Sequence, residues 1–253
     1  MELFDTHCHL DVPEFAADRD EVLVRTRDAG VTRLVIPAIT EAGWDDLLAF
    51  CRSESGLYPA LGLHPIFTDE HRDEHIDRLR ERIAQERPLA VGEIGLDFFI
   101  PDPDRERQTE LFEAQLAIAE EFQLPVLVHV RKAHDQVLQS LKKFSLPGGI
   151  AHAFNGSLQQ AEQYLELGFR FGFGGMLTYE RSKKIRKLAA ELPLEHIVLE
   201  TDAPDMTTAA HHGERNSPEY LPEVLAALAE VRGESAELLA LQTTANALKL
   251  FEL

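Results

Sequence analysis

Pro125-Val126-Leu127-Val128-His129-Val130-Arg131 is apolar residue after residue until His129. An extended chain of that composition is hydrophobic on both faces, the pattern of a strand covered on both sides in a parallel sheet. Leu34-Val35-Ile36 reads the same way. Working outward, β-rich runs recur at Leu3–His9, Arg33–Ile39, Tyr58–His64, Leu89–Leu96, Pro125–Val130, Gly149–Phe154, Phe169–Gly174 and His196–Thr201. Stretches with helical spacing alternate with them: Glu21–Ala29, Asp45–Cys51, Ile76–Gln85, Glu106–Phe122, Ala133–Phe144, Leu158–Leu167 and Lys184–Leu192. Two more, Glu219–Val231 and Ser235–Phe251, follow the last run, and Gly30, Gly56 and Gly168 sit where helices should end in a left-handed residue. Strands and helices alternating over 253 residues predict an α/β fold, a (β/α)8 TIM barrel formed as a single domain over residues 1–253. A doubly wound open sheet is the rival.

The composition is that of a globular protein, with 44% hydrophobic and 27% charged residues. Two cysteines, Cys8 and Cys51, fall in different elements, which favours a reducing, cytoplasmic setting over a disulfide framework. The start of the chain has no basic or apolar leader pattern, and no run of apolar residues is long enough for a membrane, so an unexported protein is expected. A net charge of -19 repels polyanions at long range and argues against tight nonspecific binding to duplex DNA. Bound divalent cations would reverse that field locally. Nothing in the composition fixes the oligomeric state.

In a barrel of this kind chemistry gathers at the carboxyl ends of the strands. Along Phe4-Asp5-Thr6-His7-Cys8-His9-Leu10-Asp11 a period of two sends His7 and His9 to one side and Cys8, a small buried hydrophobe, to the other. Later strands end in Gly62-Leu63-His64-Pro65, Gly92-Glu93-Ile94-Gly95-Leu96-Asp97, His129-Val130-Arg131, His152 and Glu200-Thr201-Asp202-Ala203-Pro204. Each residue has an ordinary explanation by itself. Glu93 could cap a turn, His129 could be a satisfied core histidine, His152 could face solvent, and Asp202 could start a turn. Together they would demand several buried polar groups with unrelated partners. One shared metal centre satisfies all of them.

Four imidazoles, His7, His9, His129 and His152, with the carboxylates of Glu93 and Asp202, suit two divalent cations. Glu93 could bridge ions about 3.5 to 4 Å apart. His7, His9 and Asp202 would complete one ion, and His129 and His152 the other. Asp202, beside a water acidified by the pair, is the candidate general base, so Glu93 and Asp202 are the candidate catalytic residues.

These ordered motifs, with Asp5-Thr6-His7-Cys8-His9-Leu10-Asp11 at their head and His152-Ala153-Phe154-Asn155-Gly156 among them, resemble the successive signatures of the TatD family of metal-dependent deoxyribonucleases, part of the amidohydrolase superfamily. The resemblance runs nearly end to end. It implies a phosphodiesterase that removes nucleotides from DNA 3′ ends, with Mg²⁺ or Mn²⁺ in turnover, while an imidazole-rich site also suits Zn²⁺. Its implied partner is a single-stranded or frayed DNA end. The chain departs from the pattern at Phe98-Phe99, where the family often has Tyr-Tyr, and at Glu214, which replaces a commonly basic residue ahead of Arg215-Asn216-Ser217-Pro218.

Around this centre, His64 and Arg131 are candidates to hold a phosphate, and Asp97 to orient a ligand or start a helix at the substrate's edge. His211 and His212, in a loop with Gly213 and Glu214, read as a solvated rim. Arg181, Lys183, Lys184, Arg186 and Lys187 crowd cations into an acidic chain. Arg181 and Lys183 are candidates to attract phosphate; Arg186 and Lys187 read as a solvated helix face. Other functions share the site: hydrolysis of a small amide, lactone or aminoacyl ester, or a regulatory role in binding a partner. Many dinuclear amidohydrolases bridge their metals with a carbamylated lysine, and the corresponding strand here offers Glu93 and no lysine, which favours the nuclease branch.

Overall fold

The structure, a computed structural model, describes residues 2–253. Its eight strands are β1 (Leu3–Asp5), β2 (Val31–Pro37), β3 (Leu57–Leu61), β4 (Ala90–Asp97), β5 (Val126–Arg131), β6 (Gly149–Ala151), β7 (Phe169–Phe173) and β8 (Ile197–Leu199). All pair in parallel, in chain order, and β8 closes on β1. The expected barrel is therefore present and the open sheet is excluded. The helices are α1 (Arg19–Asp28), α2 (Trp44–Ser53), α3 (Asp73–Glu86), α4 (Arg105–Phe122), α5 (His134–Leu141), α6 (Leu158–Glu166), α7 (Lys183–Glu191), α8 (Leu221–Arg232) and α9 (Ala236–Phe251). Gly30, Gly56 and Gly168 all take positive φ, as anticipated. Among the described residues no helix is long and apolar enough to cross a membrane.

Two hydrophobic layers follow from strand alternation. The larger lies between strands and helices, and Cys8 belongs to it. The smaller fills the barrel floor with Phe4, Val35, Ala60, Ala90, Leu127, Ile150 and Val198. Ala247, Leu250 and Phe251 of α9 close that floor from below. The final helix thus plugs the amino-terminal mouth, and Asn246 locks it by donating to the carbonyls of Leu194 and Ile197, each at 2.7 Å. Plugging one end leaves the carboxyl-terminal mouth as the face open to chemistry.

Six strands, β1, β2, β3, β6, β7 and β8, stop short of their expected carboxyl ends. β1 stops at Asp5, β6 at Ala151 and β8 at Leu199, short of His7, His9, His152 and Asp202. These residues stand beyond the ladder, His152 in a turn and Asp202 in a left-handed backbone with φ 58°. The segments are nonetheless held: Asp202 N donates to His7 O at 2.8 Å, His9 N to Ala203 O at 2.8 Å, and Cys8 N to Val35 O at 3.1 Å. Asp5 ties the same seam, accepting from Thr201 Oγ1 at 2.6 Å and from the backbone amides of Thr201 and His7. Burial pushes the Asp5 carboxyl up to about 7, against the lowering effect of those donors.

The alternation of β4 breaks where it matters. Val91 and Ile94 both face the outer core although three positions apart, and the pairing with β5 slips between them. A bulge of this kind re-aims a side chain. Ala90 faces the barrel interior, so strict alternation would send Glu93 outward, and the slip turns it inward.

Candidate metal centre

Glu93 is 1% exposed and stands at the centre of the cluster. Its Oε2 lies 3.0 Å from His7 Nε2 and 3.4 Å from His9 Nε2. Its Oε1 lies 3.0 Å from His129 Nδ1 and 3.3 Å from His64 Nε2. One carboxylate therefore turns one oxygen to each of two groups of imidazoles. Asp202 completes the first group, with Oδ1 at 3.8 Å from both His7 Nε2 and His9 Nε2, and reaches His152 Nε2 through Oδ2 at 3.5 Å. Three overlapping sets have donor spacing suited to a cation: His7 with His9 and Asp202, His7 with Glu93 and His152, and His64 with Glu93 and His129.

Hydrogen bonds behind His9, His129 and His64, and a close carboxylate behind His152, decide which nitrogen is free, while His7 Nδ1 has no hydrogen-bond partner. His9 Nδ1 lies 3.2 Å from the carbonyl of Pro37, which can only accept, so Nδ1 carries the proton and Nε2 keeps its lone pair for the centre. His129 donates from Nε2 to Asp97 Oδ2 at 2.9 Å and turns Nδ1 inward. His152 Nδ1 sits 3.0 Å from Glu200 Oε1, leaving Nε2 toward Asp202. His64 differs. Its Nδ1 accepts from Ile66 N at 3.2 Å, so a neutral ring carries its proton on Nε2 and faces Glu93 as a donor. Spacing alone would make His64 a ligand, but its tautomer keeps it available to hold an anionic group.

The donor set fits a divalent cation. His7 Nε2 alone faces His9 Nε2 at 3.2 Å, Glu93 at 3.0 Å and Asp202 at 3.8 Å, more partners than one ring nitrogen can satisfy. A shared cation resolves this crowding, and nitrogen and oxygen donors of this mix suit divalent metals.

Charges follow the same geometry. Burial alone would raise Glu93, but the His64 and His7 imidazoles and the His129 hydrogen bond hold it well below the usual carboxylate range. Asp202 is likewise lowered, burial being outweighed by His152. Burial opposes the charged form of His9, yet Glu93 and Asp202 bring it up to about 9. His129 and His152 are raised despite burial, by Asp97 and Glu93 and by Glu200 and Asp202 respectively. His7 is lowered by burial and by His152. The metal-free protein therefore holds protons on His9, His129 and His152 that a cation must displace. Metal affinity is expected to rise with pH up to about 9, by about tenfold per pH unit for each proton displaced. Calorimetry in buffers of different ionisation enthalpy measures the release; binding without protons, at an affinity independent of pH, would contradict it.

Several supporting residues escape sequence reasoning. Glu200 accepts from Ala153 N at 2.6 Å and holds His152. Gly172 makes room for it, because a Cβ there would lie 2.0 Å from Glu200 Oε2. Gln115 braces the strand end below His64, exchanging hydrogen bonds with both backbone groups of Leu63 at 2.7 and 3.2 Å. Gln108 does the same for Asp97 at 2.8 and 3.1 Å. A polar residue on the inward stripe of α4 was the available signal.

The outlying candidates separate. Asp97 is fully buried and uses its oxygens on His129 and on the amides of Phe99 and Ile100, so it stands behind the centre. Arg131 is exposed at the mouth, 3.8 Å from Asp97 and stacked on Phe99. Arg181 and Lys183 are exposed beside β7, while Arg186 pairs with Glu230 and Lys187 with Glu191. His211 spends both nitrogens on Glu214 and Glu223 and stacks on Tyr220, which makes it a structural rim residue. Arg215 forks onto Asp18 at 2.8 and 2.6 Å, and Asn216 holds the carbonyls of Thr201 and Asp205. The Arg-Asn pair thus braces the loop carrying Asp202.

Comparisons with known proteins agree with this geometry. The family model described as "TatD related DNase" matches residues 4–252. The chain is 43% identical over 251 residues to the uncharacterized metal-dependent hydrolase YjjV of Escherichia coli K12, covering 98% of this chain and 96% of that protein. It is 35% identical over 259 residues to the 3′-5′ ssDNA/RNA exonuclease TatD of Pantoea sp. At-9b, covering 99% of this chain and 100% of that protein. The crystal structure of the E. coli YjjV protein superposes with a TM-score of 0.96 at 41% identity, covering 99% of this chain and 98% of the other.

Proposed function

This chain belongs to the TatD-related DNase family, and from that premise we propose that it is a phosphodiesterase dependent on two divalent cations, removing nucleotides from the 3′ ends of single-stranded or frayed DNA. The observation that carries this reading is Glu93, whose two oxygens face separate imidazole groups at 3.0 Å on each side. His7, His9 and Asp202 would hold one cation; His129 and His152 the other, with Glu93 common to both. Once bound, Mg²⁺, Mn²⁺ or Zn²⁺ supplies an acidified water and offsets charge on the phosphoryl oxygens.

The chain's own groups do the rest. Asp202, ionised at neutral pH because its pKa is lowered, takes a proton from the attacking water. His64 presents its Nε2 proton to a nonbridging phosphate oxygen, and Arg131 at the mouth offers a second donor, a cationic one. Asp97 and Glu200 keep His129 and His152 from rotating. The unpaired, buried state of Cys8 and Cys51 fits work in the reducing cytoplasm.

The test strips the protein of metal, restores Mg²⁺, Mn²⁺ or Zn²⁺ separately, and offers end-labelled single-stranded DNA, duplex DNA, RNA and a panel of lactones and amides. Shortening of the single strand from its 3′ end, restored by a divalent cation, is the expected result. Turnover of the lactones or amides alone would overturn the reading.

A further inference from the structure

Most arginines of this acidic chain are spent in ion pairs, as with Arg27 on Glu54, Arg33 on Glu2 and Arg107 on Asp73. The cations just after β5 and at the loop and first turn of α7 that follow β7 are different. Lys132, Arg181, Lys183 and Lys184 are exposed, and among the described residues none of them forms an ion pair, while Arg131 has only Asp97 at 3.8 Å. These loops are laced together at the open mouth. Lys184 Nζ donates to the carbonyl of Asn155, and His134 Nε2 lies 3.2 Å from Asn155 Oδ1. Asn155 is three residues from His152, so the lacing holds the loops beside the metal centre. The acids here are Asp135, which accepts from Gln160, and Glu180, with Asp102 and Asp104 on the neighbouring loop after β4.

Aromatic rings alternate with these cations. Phe99 is 59% exposed, an unusual setting for a phenylalanine on a buried strand's end, and Arg131 lies 4.5 Å over its ring. At the other end Arg181 lies 5.4 Å from the Tyr179 ring centroid, and Tyr179 Oη lies 3.2 Å from His212 Nδ1. Phe99 is held close to the centre because its amide donates to Asp97 Oδ1 at 2.9 Å while Asp97 Oδ2 holds His129 at 2.9 Å. Cations that follow a backbone, interleaved with faces that stack bases, characterise sequence-tolerant single-strand binding.

From this arrangement we infer that the loops after β4, β5, β6 and β7 form a track for single-stranded DNA, with bases stacking on Phe99 and Tyr179 and phosphates meeting Lys132, Arg181, Lys183 and Lys184. The inference rests on the nuclease reading above and says where the strand upstream of the cleaved end lies. Duplex DNA buries its base faces within its own stack and cannot use the two rings, so the track selects single strands. It also reconciles a net charge of -19 with a polyanionic substrate, because the unpaired cations line the path.

The test is equilibrium binding to the metal-loaded full chain, read by fluorescence anisotropy, with 5′-labelled phosphorothioate oligothymidylates of about two to eight nucleotides, the range of a single-strand site. Affinity is expected to rise with length, and F99A/Y179A to weaken the longest strand by roughly tenfold. K132E/K184E should flatten the salt dependence by about 1.4 logarithmic units per decade or more, the share of two phosphate contacts. Because Lys184 also holds Asn155, K132E alone, at an exposed side chain, serves as the second variant, with half that change expected. Affinity independent of length, or a wild-type salt slope in K132E, would overturn the track. Cleavage of end-labelled strands with flat length dependence overturns the track and keeps the nuclease reading. Length-dependent binding without cleavage in any of the three metals supports the track and overturns the nuclease reading.

Discussion

Replacing Glu93 by Gln is expected to lower phosphodiester hydrolysis by roughly 10³-fold, the scale of losing a preorganised electrostatic element from a water-excluded site. The carboxylate is buried, lowered in pKa, and within 3.4 Å of four imidazoles. An amide keeps the shape and removes the charge, so one cation loses its bridge and the raised imidazoles lose their counterion. Metal content by elemental analysis should fall below that of the wild type, alongside steady-state kinetics on end-labelled DNA. A Glu93→Gln protein that binds its full metal complement and cleaves at the wild-type rate would remove Glu93 from the centre of the mechanism.

Gly172→Ala should act on the same centre from a residue with no ionisable group. The added Cβ would lie 2.0 Å from Glu200 Oε2 and 2.5 Å from its Cδ, so the carboxylate has to leave its place behind His152. Losing such a partner typically costs about 10- to 100-fold in metal affinity. Overpacking a filled interior adds about 1–3 kcal/mol of destabilisation. The comparison is Glu200→Gln, which keeps the volume and weakens the hold on His152; it should reproduce the affinity loss with less of the stability loss. Calorimetric metal titration and thermal unfolding of both variants separate the two contributions. If Gly172→Ala binds metal as the wild type does, the Glu200 carboxylate has no part in orienting His152.

Much of this was legible from local pattern. Strands covered on both faces, such as Val126–Val130, have to be apolar throughout, and that signature survives without any knowledge of neighbours. His7 and His9 converge, with Nε2 atoms 3.2 Å apart, because a period of two puts them on one side of an extended tail. Cys8 accordingly lies in the outer layer. Where several parallel strands end in His, Glu or Asp, closure of the barrel brings those ends to one mouth.

Other features depend on partners distant in the chain. Glu200 lies within a motif that draws the eye to Asp202, and its role appears only when Gly172 and His152 are beside it. Asp97 reads in sequence as orienting a ligand, starting a helix or meeting the substrate; it is buried behind His129, which it holds, because Gln108 and the turn at Phe99 close over it. Gln115, on the inward stripe of α4, looks like a blemish until it meets the backbone of Leu63. His64 was expected to hold a phosphate; the fold sets it beside Glu93 with the spacing of a ligand, and the Ile66 amide, by fixing its tautomer, separates the two roles.

By itself, then, the order of residues determined the barrel, the mouth where chemistry collects and the residue types that meet there, since periodicity and strand ends are local properties. The tertiary structure alone decided how they face one another. Alternation from Ala90 would carry Glu93 to the outer layer, and a slip in the β4–β5 pairing between Val91 and Ile94 brings it inside. That slip is a relation between two strands, so no reading of either strand alone contains it.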